Sequence, residues 1–199
     1  MTEWEEHYQQ GHTPWDKGAP APPLLDFLRT EPLDGDILVP GCGMGHDVRA
    51  IAAAAPKARL TGLDIAPTAI DRARGFALAG QERYVLGDLF DLEPKLRGAF
   101  DWVWEHTCYC AIPPEKRENY LEAVAAALRP GGRLLGVFYL DPYDDEHQPG
   151  NGRPPFGTSL QDLEQRLSAH GFQVLRSWVP ERSYPGREGR ERMILTQRP

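Results

Sequence analysis

Residues 36–55 of this chain pass from a short apolar run, DILVP, through a loop with three glycines in five residues, Gly41, Gly43 and Gly45, into the stretch DVRAIAAAA. A brief apolar run that stops at glycine reads as a buried strand, and an alanine-rich run reads as a helix. Glycines between them let the backbone turn sharply and let a ligand come close to the helix N-terminus. Repeated, such a strand, loop and helix unit leaves few architectures open, because parallel strands need a crossover between them.

The unit does repeat. After Pro56, residues 58–65 (ARLTGLDI) read as a second strand, and Pro67 opens a helix expected over 68–79. Residues 83–86 form a third strand that runs into Gly87 and Asp88, and 100–105 (FDWVWE) carry the fourth. Pro114 opens a helix over 115–128, ended by Pro130, Gly131 and Gly132 before a fifth strand at 133–140. An amphipathic helix at 22–30 precedes this series, and a helix at 160–170 and strands at 172–179 and 192–196, with a polar hairpin between them, follow it. The expected fold is α/β and doubly wound: a mostly parallel seven-stranded sheet with helices on both faces. Residues 141–157, rich in proline, glycine and acid, are too polar for a core and too long for a tight turn, and read as a lid that includes Asp144, Asp145 and Glu146.

At 199 residues and 41% hydrophobic content, the chain fills one core, so a single domain over 1–199 is expected. A net charge of −7 with scattered basic residues offers no footprint for nucleic acid. No apolar run approaches the ~20 residues that cross a bilayer, and the first residues are not signal-like, so no membrane partner and a cytoplasmic location are expected. Three cysteines, Cys42, Cys108 and Cys110, suit free thiols in a reducing compartment. No spacing of histidine and cysteine matches a zinc motif, and no metal is expected.

The glycines also bear on the ligand. His46 stands where a dinucleotide fingerprint has its third glycine, which favours an adenosine ligand without a pyrophosphate. Asp64, about twenty residues on, is placed to accept from both hydroxyls of a ribose, or else to cap the next helix. Asp88 is placed to accept from an adenine amino group, with Leu89 and Phe90 near the ring, or else simply forms a turn.

The segments WEEHYQQGHTPWD (4–16), LVPGCGMGHDV (38–48), GLDI (62–65), FDWVWEHTCYCAIPPEKRENY (100–120) and PPF (154–156) together resemble the thiopurine S-methyltransferase superfamily, and within it the thiol and halide methyltransferase branch. The resemblance covers nearly the whole chain in order. It implies a Rossmann-like class I methyltransferase using S-adenosyl-L-methionine. Trp4, Tyr8 and Trp15 would belong to an N-terminal cap over the cofactor. Gly41, Cys42 and Gly43 would line its methionine portion, Asp64 and Ile65 its ribose, and Asp88, Leu89 and Phe90 its adenine. Glu105 and the residues after it would pass beneath the sulfonium. Val39 stands where methyltransferases in general carry an acid, and Tyr8 where relatives often have tryptophan.

Methyl transfer from a sulfonium is an in-line displacement that needs positioning and exclusion of water. A thiolate or halide is already nucleophilic, whereas an amine or hydroxyl needs a base. His106 and Tyr109, beyond the fourth strand, are the first candidates for touching a small-molecule acceptor, with Tyr139 next. Arg117 matches a family arginine near the acceptor mouth. An aromatic thiol or thiopurine, a selenium or tellurium oxyanion and a small amine remain alternative acceptors. A nicotinamide oxidoreductase and a non-catalytic binding module are the more distant alternatives. A monomer or weak homo-oligomer is expected.

Overall fold

The computed structural model describes residues 3–143 and 152–198. Helices α1 (Glu3–Gln10) and α2 (Pro22–Thr30) lead into β1 (Asp36–Pro40), α3 (His46–Ala54), β2 (Arg59–Asp64), α4 (Pro67–Arg74) and β3 (Gln81–Leu86). Two 3-10 turns, Leu89–Asp91 and Pro94–Leu96, join β3 to β4 (Phe100–His106). Then come α5 (Arg117–Ala127), β5 (Leu128–Tyr139), α6 (Leu160–Ala169), β6 (Gln173–Trp178) and β7 (Glu191–Gln197). The seven strands form one sheet in the order β3-β2-β1-β4-β5-β7-β6, parallel from β3 to β5, with β7 antiparallel to both its neighbours. This is the expected doubly wound, Rossmann-like α/β architecture.

Side-chain alternation along the strands sorts the core into two layers. Ile37, Val39, Trp102, Trp104, Leu135 and Val137 face α2, α3 and α4, whereas Leu38, Val103, Leu134 and Phe138 face α5 and α6. The same alternation sends His106 toward the α3 layer and its neighbour Glu105 toward the α5 layer. The strand order turns outward in both directions from the β1 and β4 pair, which makes the crevice at their carboxyl ends the switch point where such sheets bind ligands.

Several expected boundaries move. Helix α4 stops at Arg74 rather than continuing to residue 79, because beyond Gly75 the chain has no apolar stripe to bury: Leu78 is 67% exposed. Phe76 instead lies under the Arg49 guanidinium, 4.0 Å from its carbon. The fifth strand starts at Leu128, five residues before the expected start at Arg133, running through Pro130 at a register shift opposite Phe100 and Trp102. The polar N-terminus forms a helix, α1, which docks on α4 through Glu5: its carboxylate accepts the Thr68 amide at 2.9 Å and the Thr68 hydroxyl at 2.6 Å. Residues Asp144, Asp145 and Glu146 lie outside the described residues. The described return of that segment is held down by Phe156 N–H on the Cys110 carbonyl at 2.6 Å and Thr158 N–H on the Leu140 carbonyl at 2.9 Å. Among the described residues no helix is long and apolar enough to cross a membrane.

Candidate active site

At the carboxyl ends of β1 and β4 two loops close on one another. A Cβ added to Gly41 would lie 3.1 Å from the Cys108 sulfur, and one on Gly43 would lie 2.9 Å from the Tyr8 hydroxyl. Both glycines have positive φ, +59° and +52°, a region in which side chains are costly. The loop is therefore a bare backbone cradle, walled by Cys108 on one side and by the N-terminal cap on the other.

Asp64, at the tip of β2, organises this cradle. One carboxylate oxygen accepts the Gly43 amide at 2.8 Å and the other the Ala66 amide at 2.9 Å, so a single side chain fixes the glycine loop and the entry to α4. Burial pushes its carboxyl above the ordinary aspartate range, and these amides offset that only in part. Each oxygen has a lone-pair position beyond the amide it holds, so the two roles open to Asp64, cap and hydroxyl acceptor, are compatible.

The cap is an aromatic cluster. Trp4 and Trp15 meet edge to face at 5.2 Å, Tyr8 and Trp15 at 5.9 Å, and Met44 of the glycine loop packs against the same group. Arg72 of α4 donates to the Tyr8 carbonyl at 2.8 Å, and Tyr8 is buried with its hydroxyl beside Gly43. A second tie runs from Asp16 to His46, 3.3 Å apart at the start of α3, while Arg49 donates to the Met44 carbonyl at 2.7 Å. Along β3 the surface is more open: Ile65, Asp88 and Leu89 are half-buried and Phe90 is 41% exposed. Asp88 spends one oxygen on the Phe90 amide, at 2.9 Å, making the turn there. Cys42 donates its amide to Leu63, and its sulfur would lie 2.9 Å from a Cβ on Gly62, so it packs against the sheet.

The residues after β4 divide by sheet face. Glu105 is fully enclosed: it accepts the Cys108 and Tyr109 amides at 3.1 and 2.9 Å and a short bond from the Tyr120 hydroxyl of α5. Burial raises its carboxyl above the usual range despite those donors. It folds the loop beneath the cradle without lining it. Tyr109 is 2% exposed, between Tyr120 and Phe138, and burial pushes its phenol up to about 12. Arg117 points inward rather than toward a mouth, because its guanidinium stacks on the Tyr109 ring at 4.7 Å and donates to the Phe156 and Gly157 carbonyls. In this structure Tyr109 and Arg117 thus anchor the return of the 141–157 segment.

His106 and Tyr139 lie on the opposite face. The His106 ring stacks on Tyr184 at 5.8 Å, and Arg187 lies 4.6 Å from the Tyr139 ring and 5.5 Å from that of Tyr184. Tyr184 comes from the hairpin between β6 and β7 and donates to the Ala19 carbonyl at 2.5 Å, joining the hairpin to the N-terminal strap. His106 Nδ1 lies 2.8 Å from Asp47 Oδ2, and the same oxygen accepts the Trp104 indole N–H at 2.7 Å. Asp47 Oδ1 takes the Ala21 amide at 2.7 Å. Burial opposes the Asp47 charge, but His106 and these donors hold its carboxyl below the ordinary range.

Sequence reasoning does not single out Asp47, Tyr184 or Arg187. For Asp47 a signal exists: it is an acid on the same helical stripe as the apolar Val48, Ile51 and Ala52. The hairpin residues carry no comparable signal, since a tyrosine and an arginine in a polar hairpin read as solvent-facing.

Residues 1–183 match the family model described as thiopurine S-methyltransferase. The chain is 33% identical over 195 residues to a probable thiol methyltransferase 2 of Arabidopsis thaliana and 31% identical over 195 residues to thiocyanate methyltransferase 1 of Brassica oleracea. Both alignments cover 96% of this chain and 82% of the relative. Among solved structures, the Burkholderia thailandensis 1,6-didemethyltoxoflavin-N1-methyltransferase, crystallised with S-adenosylhomocysteine, is similar in fold, with a TM-score of 0.75 at 20% identity over 98% of this chain and 85% of that one. By its cradle, its aromatic cap and these matches, the chain belongs to the thiopurine S-methyltransferase family.

Proposed function

We propose that the carboxyl edge of the sheet binds S-adenosylmethionine and transfers its methyl group to a small soft nucleophile: a thiol, bisulfide, thiocyanate or halide. The observation that carries this reading is the bare glycine cradle fixed by Asp64 beneath the aromatic cap. It occurs in a chain whose relatives, aligned over 96% of its length, are named as thiol and thiocyanate methyltransferases.

The residues present fit the cofactor. A Cβ at Gly41 or Gly43 would fill the cradle, which suits close passage of the methionine portion past the backbone. Asp64 retains acceptor capacity for ribose hydroxyls, and Ile65, Asp88, Leu89 and Phe90 offer a half-exposed, mainly apolar surface for adenine. Trp4, Tyr8 and Trp15 would cover the bound molecule and exclude water. When bound, the cofactor supplies an electrophilic methyl on a sulfonium. The chain's own part is to hold acceptor, methyl carbon and leaving sulfur in line.

The test is an acceptor panel with purified protein: bisulfide, an alkyl thiol, thiocyanate, iodide, an aromatic thiol, selenite and a small amine, each followed by S-adenosylhomocysteine release. Turnover on any of the first four, in preference to the last three, is the expected result. Preference for the aromatic thiol, the oxyanion or the amine would move the chain to another acceptor class within the family.

A further inference from the structure

We propose that Asp47 and His106 form a dyad in which His106 removes the proton of the methyl acceptor, so that the acceptor enters protonated, as a thiol or hydrogen sulfide, rather than as a halide or thiocyanate ion. The inference rests on the methyl-transfer reading above and narrows its acceptor class.

The geometry supports it from three sides. Asp47 receives two N–H groups, from Ala21 and Trp104, and lies 2.8 Å from His106 Nδ1, the surroundings of an acceptor-only, ionised carboxylate. A carboxylate at that distance favours a proton on Nδ1, and in the neutral ring this makes Nε2 the acceptor. That Nε2 is buried and, among the described residues, has no hydrogen-bond partner. A buried acceptor without a donor is costly to maintain, and its place at the tip of β4, in the switch-point crevice, gives a reason for it.

The surroundings fit a small protonated guest. Tyr184 stacks on the imidazole, and the segment that supplies Ala19 and Ala21 is tied to Tyr184 and to Asp47. The charged groups near the ring are Asp47 from α3, Arg187 paired with Glu191 at 3.3 Å from the hairpin side, and Glu105 across the sheet. Arg187 is already neutralised by Glu191, so among the described residues no free cation on this wall is set to hold a bare anion.

The step balances. The acceptor's S–H proton passes to His106 Nε2 as a sulfur lone pair attacks the methyl carbon. The bond from that carbon to the sulfonium breaks, and its electron pair stays on the departing thioether sulfur. The products are a methyl thioether and S-adenosylhomocysteine, with an imidazolium held against the Asp47 carboxylate until it loses its proton to water. His106 is the catalytic residue in this scheme, and Asp47 is a positioning residue that sets its tautomer.

Wild type, His106→Gln and Asp47→Asn are to be compared with an alkyl thiol and with iodide across pH 6 to 10, alongside S-adenosylhomocysteine affinity. General-base assistance is typically worth on the order of 100-fold or more. Both variants are therefore expected to lose about 100-fold in kcat for the thiol at pH 7. With a cysteine-type thiol, whose free pKa is about 8.5, as the acceptor, the loss should shrink as pH rises past that value, while cofactor-product affinity stays within about 3-fold. Equal loss at every pH, no loss, or wild-type preference for iodide over the thiol at pH 7 would overturn the proposal. A substrate-free readout accompanies this: long-range proton–nitrogen spectra should show His106 as the Nδ1–H tautomer in wild type and lose that form in Asp47→Asn. An Nε2–H tautomer in wild type would also overturn it. If wild type methylates none of the soft nucleophiles, the methyl-acceptor reading fails on its own, and the spectra still decide the dyad.

Discussion

The two edges of the sheet treat polar side chains in opposite ways. At the amino edge, Asp36 pairs with Arg59 at 2.7 Å and with Arg129 at 2.8 Å, Arg129 also pairs with Asp101 at 2.6 Å, and Asp101 accepts the Asp36 amide at 2.8 Å. A groove of about 300 Å³ opens there between Asp34, Asp101 and Arg129, but Asp101 and Arg129 are already spent on partners. At the carboxyl edge and the segments that close on it, buried atoms of His106, Tyr109, Ser183 and Glu191 have no hydrogen-bond partner among the described residues. The ion pairs at the amino edge satisfy one another, whereas several buried polar atoms at the carboxyl edge keep capacity left over. The size of a hollow is thus a poorer guide to chemistry than the pairing state of the atoms around it.

The sharpest way to break this comparison is Asp64→Ala. Hydrogen bonds to a charged group are worth about 1.5–3 kcal/mol each. Loss of the proposed ribose contacts, together with loosening of the Gly43 amide, is expected to weaken S-adenosylhomocysteine binding about 100-fold by calorimetry. An effect under about 3-fold would remove Asp64 from the site. Next comes Gly43→Ala, which forces a side chain into positive φ at roughly 1–2 kcal/mol and pushes on the Tyr8 hydroxyl. Cofactor affinity should fall about 10-fold with a comparable loss of stability, and an unchanged affinity would show that the cradle is not closely approached.

Acidity separates two carboxylates of the same edge. The Asp64 carboxyl is raised by burial, and the proposed ribose donors would favour its charged form, so affinity should be full at neutral pH and begin to fall at a higher pH than an ordinary aspartate would allow. Asp47 is depressed: its contribution to stability is fully present above the unfolded value of about 3.9 and is lost only as pH falls through its lower folded value. Calorimetric titrations and chemical denaturation from pH 4 to 8 should therefore show binding failing before the fold does. The smallest effect belongs to the amino edge. Arg129→Met removes partly exposed ion pairs, each worth about 0–1 kcal/mol, and should shift stability by no more than about 1 kcal/mol with kinetics unchanged.

Much of this arrangement is legible in the sequence, and for local reasons. The first two parallel strands are buried along nearly their whole length and end at glycine or aspartate, so DILVP and ARLTGLDI stand out against helical neighbours. The glycine cradle and Asp64 follow from spacing along the same few residues. What is not legible depends on partners far along the chain. Helix α1 is polar and short, and it is secured by the contact of Glu5 with Thr68, 63 residues away. Asp47 looks like any acid in a first helical turn until the Trp104 indole N–H and the His106 ring, 57 and 59 residues on, are brought to it. By sequence Arg117 and Tyr109 are candidates for touching an acceptor; in the fold Tyr109 packs on Tyr120 and Phe138 in the α5 layer and Arg117 stacks on Tyr109, on the opposite face from His106 and Tyr139. Among the acceptor-side candidates, only the pair on the α3 face shares a wall with the hairpin residues Tyr184 and Arg187.

The central claim is tested most directly by supplying S-adenosylmethionine with a deuterated methyl group and an alkyl thiol, and following the labelled methyl thioether by headspace mass spectrometry. The account predicts stoichiometric transfer of the label to sulfur by wild type and its near-complete loss in Asp64→Ala. No labelled thioether from wild type that binds the cofactor, or equal yields from wild type and Asp64→Ala, would contradict it.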